Sequence, residues 1–381
     1  MSNSSSLNHP FKFKKIPASH SLNVVLPSIN MTTWTQEQVF NDGDNFFRDL
    51  ERDLLRAKES VSVEIYIFTL DTYGLHFLSL LTETARRGVS VQLSIDGFGS
   101  LEWSEELQRD LQTQGVQVRV YHPIHWRLFN PARWTGLLRR INRRDHRKVF
   151  VIDREIAYVG SFNISGDHLK KFTNNLPWRD TGVRVMGDGV EILSHPHRKY
   201  PPHPLVKLNE SLKQRRAYRR EILNRLAQAK SKIWITSPYF VPDLFFFRAL
   251  RTAVKSGRDV RILLPNKNDV LFMKFANQAF YHLLLKNGIR IFEYLPRTLH
   301  AKILQIDDWV ALGSSNRNNR SLLHDLEVDV VLTYPSSIAT LESQFLQDLT
   351  ESKEIHFHHW INRAWIHTWI EKIILIFKKW L

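Results

Sequence analysis

The chain contains no cysteine in its 381 residues, which excludes disulfides, a thiol nucleophile and any metal site built on thiolates. It also lacks a long uncharged apolar run, and nothing approaches the roughly 20 residues of a membrane-spanning helix. Its first 34 residues are polar and broken by prolines, without the apolar block that a secretory signal needs. These absences lead to the expectation of a cytoplasmic protein that meets a membrane only from its surface. Negative charge is in deficit: 38 Asp and Glu stand against 53 Lys and Arg, a net charge of +15. The excess favours an anionic partner, whether nucleic acid, phospholipid headgroups or a phosphorylated substrate, and does not choose among them. Hydrophobic content of 43% and charged content of 24% are ordinary for a chain with a packed core. The length admits two or three domains, or two fused halves.

What is present is one stretch written twice. HRKVFVIDREIAYVGSFN carries His146, Lys148, Asp153, Gly160, Ser161 and Asn163. HAKILQIDDWVALGSSN carries His300, Lys302, Asp307, Gly313, Ser314 and Asn316 in the same order. In a strand, residues two apart share a face, so each copy places an imidazole and an ammonium together. A turn back then brings a Ser hydroxyl and an Asn amide to the same side.

The surroundings repeat as well. An amphipathic helix is expected from Asp44 to Lys58, with Phe46, Phe47, Leu50, Leu54 and Leu55 on one face. VSVEIYIF, VSVQLSID and VQVRVYHP read as strands separated by helices. In the second half KIWITSPYF, DVRILLPN and IRIFEYLP follow the same order, and TARRGVSVQLSIDG matches AVKSGRDVRILLPN almost position by position. Helix, stopping glycine and strand recur at about 150 residues. The alternation argues for an α/β fold of two duplicated halves, each a mixed sheet flanked by helices. The expected boundaries are a flexible lead-in at 1–35, a first half at 36–195, a linker at 196–211, a second half at 212–354 and a C-terminal helix at 355–381.

The residue types suit attack on a phosphodiester. Its anionic oxygens repel ordinary nucleophiles, and two ammoniums, two amides and two hydroxyls answer the charge that grows in the transition state. One neutral imidazole can attack phosphorus and form a phosphohistidine, while the other, protonated, serves the leaving alcohol. Histidine suits both tasks because its ordinary pKa lies near neutrality. Each imidazole needs an acidic partner on its second ring nitrogen. Asp180, in WRDTGVRV, and Glu327, in HDLEVDVVL, are matched candidates. Asp153 and Asp307 read as structural groups that hold turns. No metal and no cofactor enter this scheme.

These residues resemble the phospholipase D superfamily, whose pattern is a duplicated His-x-Lys-x4-Asp-x6-Gly-Ser/Gly-x-Asn. The resemblance runs from about residue 38 onward and is greatest to the bacterial cardiolipin synthases of the shorter B type, through ARRGVSVQLSIDGFGS, SPYFVP and LEVDVVL. It implies two halves packed around one shared active site. His146 is then the nucleophile and His300 the general acid and base. Lys148, Lys302, Asn163 and Asn316 hold phosphate, Ser161 and Ser314 support them, and Asp180 and Glu327 orient the imidazoles. The second motif is one residue shorter between Asp307 and Gly313, and a tighter hairpin is expected to absorb the difference.

The tail IHFHHWINRAWIHTWIEKIILIFKKWL sets Trp365, Trp369, Ile373, Ile376 and Trp380 near one helical face among cations. That pattern suits a helix lying in an anionic membrane interface, and the Arg-rich segment 127–147 is a candidate for the same surface. The expected activity is phosphatidyl transfer that makes cardiolipin from phosphatidylglycerol, at the inner membrane surface. A hydrolytic phospholipase D and a phosphodiesterase nuclease need the same residues, although the Trp-rich tail argues against nucleic acid. A non-catalytic lipid-binding scaffold is the alternative of a different class. Oligomeric state is open, because the duplication supplies both half-sites.

Overall fold

The structure is a computed structural model that describes residues 33–123, 143–194, 200–318, 321 and 324–362. The tail 363–381, most of the Arg-rich segment and residues 1–32 of the lead-in lie outside the described residues. The first sheet is formed by β1 (Gln36–Phe40), β2 (Ser60–Ile65), β3 (Ser90–Asp96), β4 (Val116–Tyr121), β5 (Lys148–Ile152), β6 (Ile156–Gly160) and β7 (Gly182–Met186), in the order β1-β7-β6-β5-β2-β3-β4. The second is formed by β8 (Val206–Leu208), β9 (Lys232–Thr236), β10 (Asp259–Pro265), β11 (Arg290–Tyr294), β12 (Ile303–Ile306), β13 (Trp309–Gly313), β14 (Val328–Val331) and β15 (Ser352–Ile355), in the order β15-β11-β10-β9-β12-β13-β14-β8. Both are mixed. β2, β3 and β4 run parallel, as do β9, β10 and β11, and each set continues into antiparallel strands through β5 or β12.

Strand periodicity decides which side chains meet between the sheets. Val149, Val151, Ala157 and Val159 of the first sheet pack with Ile303, Val310, Leu312, Val328 and Val330 of the second in one shared core. The alternate residues Phe150, Ile152 and Tyr158 face the helices Gly43–Arg56 and Thr72–Arg86, and Leu304 and Ile306 face the helices Leu212–Gln228, Leu244–Lys255 and Leu271–Lys286. The result is helix, sheet, sheet, helix, with the duplicated motifs in the two central layers. On the first helix Phe46, Phe47, Leu50 and Leu54 are buried as expected, but Leu55 is 47% exposed, because it falls past the edge of the apolar stripe.

The shorter second motif is absorbed in its hairpin. Ile152 pairs with Ile156 around three residues, and Ile306 pairs with Trp309 around two. Continuing either register places the motif lysine opposite the first residue of Gly-Ser, Lys148 with Gly160 and Lys302 with Gly313. Asp153 and Asp307 occupy the turns at φ 52° and 50°, a region that aspartate tolerates. The Asp153 carboxylate accepts from the backbone N–H groups of Lys58, Glu59 and Ser60, and that of Asp307 from Lys230, Ser231 and Lys232. Each turn thereby fixes the start of the first parallel strand of its half.

Three boundaries differ from expectation. The segment 196–211 holds β8, which pairs with β14 and belongs to the second sheet; Leu205, Val206 and Leu208 of PLVKL complete the shared core. The segment from 355 opens as the end of β15 rather than as a helix, and the short helix Phe357–Ile361 then docks Trp360 on Tyr281 at 4.8 Å. Trp34, inside the expected lead-in, is 1% exposed, packs in the core between the sheets and donates its indole N–H to the Val331 carbonyl at 2.9 Å. Trp34→Ala is expected to destabilise the protein by about 3–5 kcal/mol, read as a lower midpoint in chemical unfolding; a loss below about 1 kcal/mol would show that residues up to 35 are not part of the core.

Candidate active site

The halves are joined by two short backbone ladders, and these carry the motif histidines. His146 N–H donates to the Leu326 carbonyl at 2.9 Å, and Leu326 N–H donates to the Arg144 carbonyl at 2.8 Å. Symmetrically, Arg179 N–H donates to the Thr298 carbonyl at 2.8 Å, and His300 N–H to the Arg179 carbonyl at 2.9 Å. Each ladder sets a histidine beside the residue that precedes, in sequence, the carboxylate of the opposite half. Buried guanidiniums brace both: Arg144 bonds Asp96 at 2.6 Å, and Arg179 bonds Asp348 at 3.0 Å. Arg147 lies among Glu64, Asp145 and Glu210 at 3.1, 2.6 and 2.7 Å. Arg144 and Arg147, read in the sequence as part of a basic surface segment, are therefore interior braces.

The histidine–carboxylate pairs are crossed. His146 Nδ1 lies 3.0 Å from Glu327 Oε2, and His300 Nδ1 lies 3.2 Å from both oxygens of Asp180. His146 Nδ1 is also 3.1 Å from the Ser314 carbonyl. A carbonyl only accepts, so Nδ1 carries the hydrogen and the neutral ring presents the Nε2 lone pair. Nε2 of His300 instead meets Lys302 Nζ at 3.0 Å. Both lysines are anchored, Lys148 Nζ donating to the His146 carbonyl at 2.8 Å and Lys302 Nζ to the His300 carbonyl at 2.7 Å.

Burial governs the titration of this cluster. It lowers Lys148 to about 7, helped by the charge of Lys302. Lys302 falls to about 8, against the pull of Asp180 and Asp269. Burial, then the two lysines and His300, holds His146 well below the ordinary histidine value. His300 is lowered by burial and Lys302, with Asp180 opposing. The carboxylates diverge. Burial acts to raise both, but His300 and His168 hold Asp180 well below its usual range. Burial wins at Glu327, which stands well above its usual range despite Lys148.

A cavity of about 530 Å³ opens on this cluster. His146, His300, Asn163 and Asn316 line it. The buried Asn316 Oδ1 has no hydrogen-bond partner among the described residues. Lys148, Lys302, Asp180 and Glu327, at most 1% exposed, form the layer behind. Ser161 and Ser314 lie deeper than expected for phosphate contacts: the Ser161 hydroxyl donates to the Thr181 carbonyl and that of Ser314 to Glu327. They brace the strand ends and the Glu327 carboxylate rather than line the cavity. Asp153 and Asp307 lie outside the cavity lining.

Several residues here escaped sequence reasoning. His168 Nδ1 is 3.1 Å from Asp180, and its Nε2 accepts the Asn163 N–H at 3.2 Å, coupling an acid to an amide of the site. Tyr66 packs on His146 with ring centroids 4.7 Å apart and lies under Lys148 Nζ at 5.1 Å. Trp178 packs on His300 at 5.4 Å. Tyr239 and Asp269 form part of the wall. The tyrosines were detectable as aromatics near the end of the first strand of each repeat, in IYIF and SPYF; His168 ends a single 3-10 turn, and Trp178 and Asp269 sit in loops, none with a periodic signal.

The profile of the family described as "Cardiolipin synthase, PLD-like domain" matches residues 50–178 and again 222–349. A cardiolipin synthase of Halalkalibacterium halodurans is 32% identical over 362 residues, covering 88% of this chain and 70% of that one. A cardiolipin synthase of Staphylococcus aureus is 30% identical over 363 residues, covering 88% and 72%. Among solved structures, a phosphatidylserine synthase of Haemophilus influenzae shares the fold with a TM-score of 0.67 at 15% identity, over 91% of this chain and 95% of that one. The chain belongs to the cardiolipin synthase family, with the PLD-like domain of that family written twice.

Proposed function

We propose that the cavity is the active site of a phosphatidyltransferase that makes cardiolipin from phosphatidylglycerol through a covalent phosphohistidine. The observation that carries this reading is the crossed arrangement, in which two imidazoles, each held through Nδ1 by the other half, face one cavity backed by two buried lysines. The asymmetry of the two rings supports distinct roles. His146 presents a lone pair at Nε2, and the low basicity enforced by burial keeps it neutral. It attacks phosphorus as the bond to the departing glycerol oxygen breaks. His300 is lowered by burial and Lys302, but the ionised Asp180 favours its imidazolium; once protonated at Nε2 and turned from Lys302 to the substrate, it gives that proton to the departing oxygen. In the second half-reaction an acceptor hydroxyl loses its proton to His300, its oxygen bonds phosphorus, and the phosphorus–nitrogen bond to His146 breaks. Lys148, Lys302, Asn163 and Asn316 balance the charge of the phosphoryl oxygens, and Ser161 and Ser314 support that set from behind.

The walls favour a lipid. Phe98 from the first half and Val270 and Phe272 from the second line the cavity while remaining 49%, 47% and 42% exposed. Apolar side chains at the mouth of an anion-binding cleft suit acyl chains and a bilayer surface better than a polynucleotide. Among the described residues no helix is long and apolar enough to cross a membrane. We place the working enzyme peripherally at the inner face of the cell membrane, drawn there by its net positive charge. The direct test is to incubate purified protein with isotopically labelled phosphatidylglycerol vesicles and weigh the lipids. Cardiolipin with equimolar glycerol is expected, and unchanged phosphatidylglycerol would end the proposal.

The histidines separate with an activated substrate. A p-nitrophenyl phosphodiester of a lipid needs no acid to expel its leaving group. His300→Ala is expected to retain a stoichiometric burst of p-nitrophenol while losing turnover on phosphatidylglycerol by roughly 10³-fold or more. His146→Ala should show neither burst nor turnover. A burst retained in His146→Ala and absent in His300→Ala would exchange the roles.

The pH dependence has a definite sign. A lysine binds an anion only while protonated, and in the free enzyme Lys148 and Lys302 lose their protons near 7 and 8. The kcat/KM for phosphatidylglycerol should therefore fall as pH rises through 7 to 8, with kcat less affected because bound phosphate restores lysine basicity. A kcat/KM flat to pH ~10, the ordinary lysine range, would show that the lysines are not the groups that hold the anion.

A further inference from the structure

The cavity takes an anion, yet its wall includes an exposed carboxylate. Asp269 lines the cavity from the loop that follows β10. It is fixed there: the Tyr239 hydroxyl donates to Asp269 Oδ2 at 2.5 Å, and the neighbouring Asn268 amide donates to the Pro238 carbonyl at 3.1 Å. The Tyr239 turn is clamped in turn by Asn277, which donates to the Pro238 carbonyl and accepts the Phe240 N–H, both at 2.8 Å.

The dyad belongs to one histidine only. β9 ends at Thr236, paired with Ile303, and Tyr239, three residues on, reaches the cavity that His300 lines. In the first half β2 ends at Ile65, paired with Lys148, and Tyr66 and Ile67 follow into the same cavity. Tyr66 is packed on His146, and the carboxylate that ends β3, Asp96, is committed to Arg144. The other carboxylate among the described lining residues, Asp325, is buried and accepts the Arg144 N–H.

A carboxylate repels a phosphodiester, so Asp269 is no phosphate ligand. An ionised carboxylate accepts hydrogen bonds and donates none, and the neutral donors in this reaction are alcohol hydroxyls. The alcohol departs and enters beside the proton carrier, opposite the attacking imidazole. His300 marks that end of the phosphorus, and Asp269 is among the charges that act on His300.

We propose that Tyr239 and Asp269 form a polyol subsite, in which Asp269 accepts a hydrogen bond from the hydroxyl vicinal to the reacting one and Tyr239 is the positioning residue that aims the carboxylate. The inference rests on the transferase reading and extends it to the acceptor. The reacting hydroxyl gives its proton to His300 as its oxygen bonds phosphorus; the vicinal hydroxyl keeps its proton and breaks no bond. Since both the departing glycerol and the entering glycerol headgroup carry a vicinal diol, one subsite serves both half-reactions. Water, with no second hydroxyl, gains nothing from it, so the subsite favours transfer over hydrolysis.

The test uses the full chain on phosphatidylglycerol vesicles, with cardiolipin and phosphatidic acid measured by mass. Glycerol and 1-propanol then compete as soluble acceptors of the phosphatidyl group. Asp269→Asn and Asp269→Ala are expected to lower the cardiolipin to phosphatidic acid ratio by about tenfold or more and to erase the preference for glycerol over 1-propanol. The amplitude of the p-nitrophenol burst counts the sites that still form the phosphohistidine, so the product ratio and the acceptor preference are compared per burst-active site. Tyr239→Phe should shift the same ratio in the same direction by less. An Asp269→Asn enzyme with normal burst, product ratio and glycerol preference would overturn the subsite. A wild-type enzyme that bursts but yields phosphatidic acid alone would instead overturn the transferase reading beneath it.

Discussion

The site depends on two pairs of backbone hydrogen bonds that cross from one half of the chain to the other. At one, His146 and Arg144 bracket Leu326; at the other, Thr298 and His300 bracket Arg179. Because the residue after Leu326 is Glu327 and the residue after Arg179 is Asp180, each ladder delivers an acid from one half to an imidazole of the other. Neither half supplies the carboxylate for its own motif histidine. The core between the sheets holds the ladders in register, and buried Arg–Asp pairs stand beside them. Removing one partner of such a pair strands a charge in the interior, at about 3–5 kcal/mol. Arg179–Asp348 spans the two halves, so that brace penalises any sliding that would part acid from imidazole, whereas Arg144–Asp96 stiffens the first half.

The same burial that orders the cluster makes the empty site electrostatically unfavourable. Lys148 and Lys302 are lowered to about 7 and 8, and both histidines are lowered as well, because burial strips water from their charged forms, with neighbouring cations adding to it at Lys148 and the two histidines. A phosphodiester brings negative charge to these groups and so favours their protonated forms. Two carboxylates that begin as counterparts end as opposites. Asp180 meets two imidazoles and stays ionised, while at Glu327 burial outweighs Lys148 and the Ser314 hydroxyl and pushes it up. The difference lies in neighbours such as His168, whose place five residues after the motif asparagine is taken in the second half by Ser321.

The duplicated motif made much of this legible in advance. A period of two, Gly-stopped helices and the repeated order of strands lead to two mixed sheets, and the one-residue deficit after Asp307 leads to a tighter hairpin. Those inferences work because they concern local geometry within each repeat. What was not legible depends on where loops of different halves meet. Nothing in the spacing says that Asp180 serves His300 and Glu327 serves His146, since that crossing is a property of packing. Trp34 lies in a polar, proline-broken segment, and only the core between the sheets shows why an indole belongs there. Ser161 and Ser314 share the motif with true lining residues, but their side chains turn to a strand carbonyl and a carboxylate. Arg144 and Arg147 sit in a run of basic residues, where composition suggests a solvated surface and the acids that bury them come from residues 64, 96, 145 and 210.

A duplicated site poses a chemical difficulty, because double displacement needs two histidines that behave differently. If the halves were equivalent in every contact, both rings would share one basicity, and neither would be committed to attack or to proton transfer. The structure breaks the equivalence outside the repeated residues. Tyr66 packs on His146, whereas Trp178 packs on His300. A backbone carbonyl fixes the tautomer of His146, whereas His300 faces a carboxylate on one nitrogen and an ammonium on the other. Asp269, held by Tyr239, is among the charges that act on His300 and not among the main ones on His146. The repeated residues supply the charges that any phosphodiester transfer requires, and the unrepeated ones decide which imidazole takes phosphorus and which alcohol receives it.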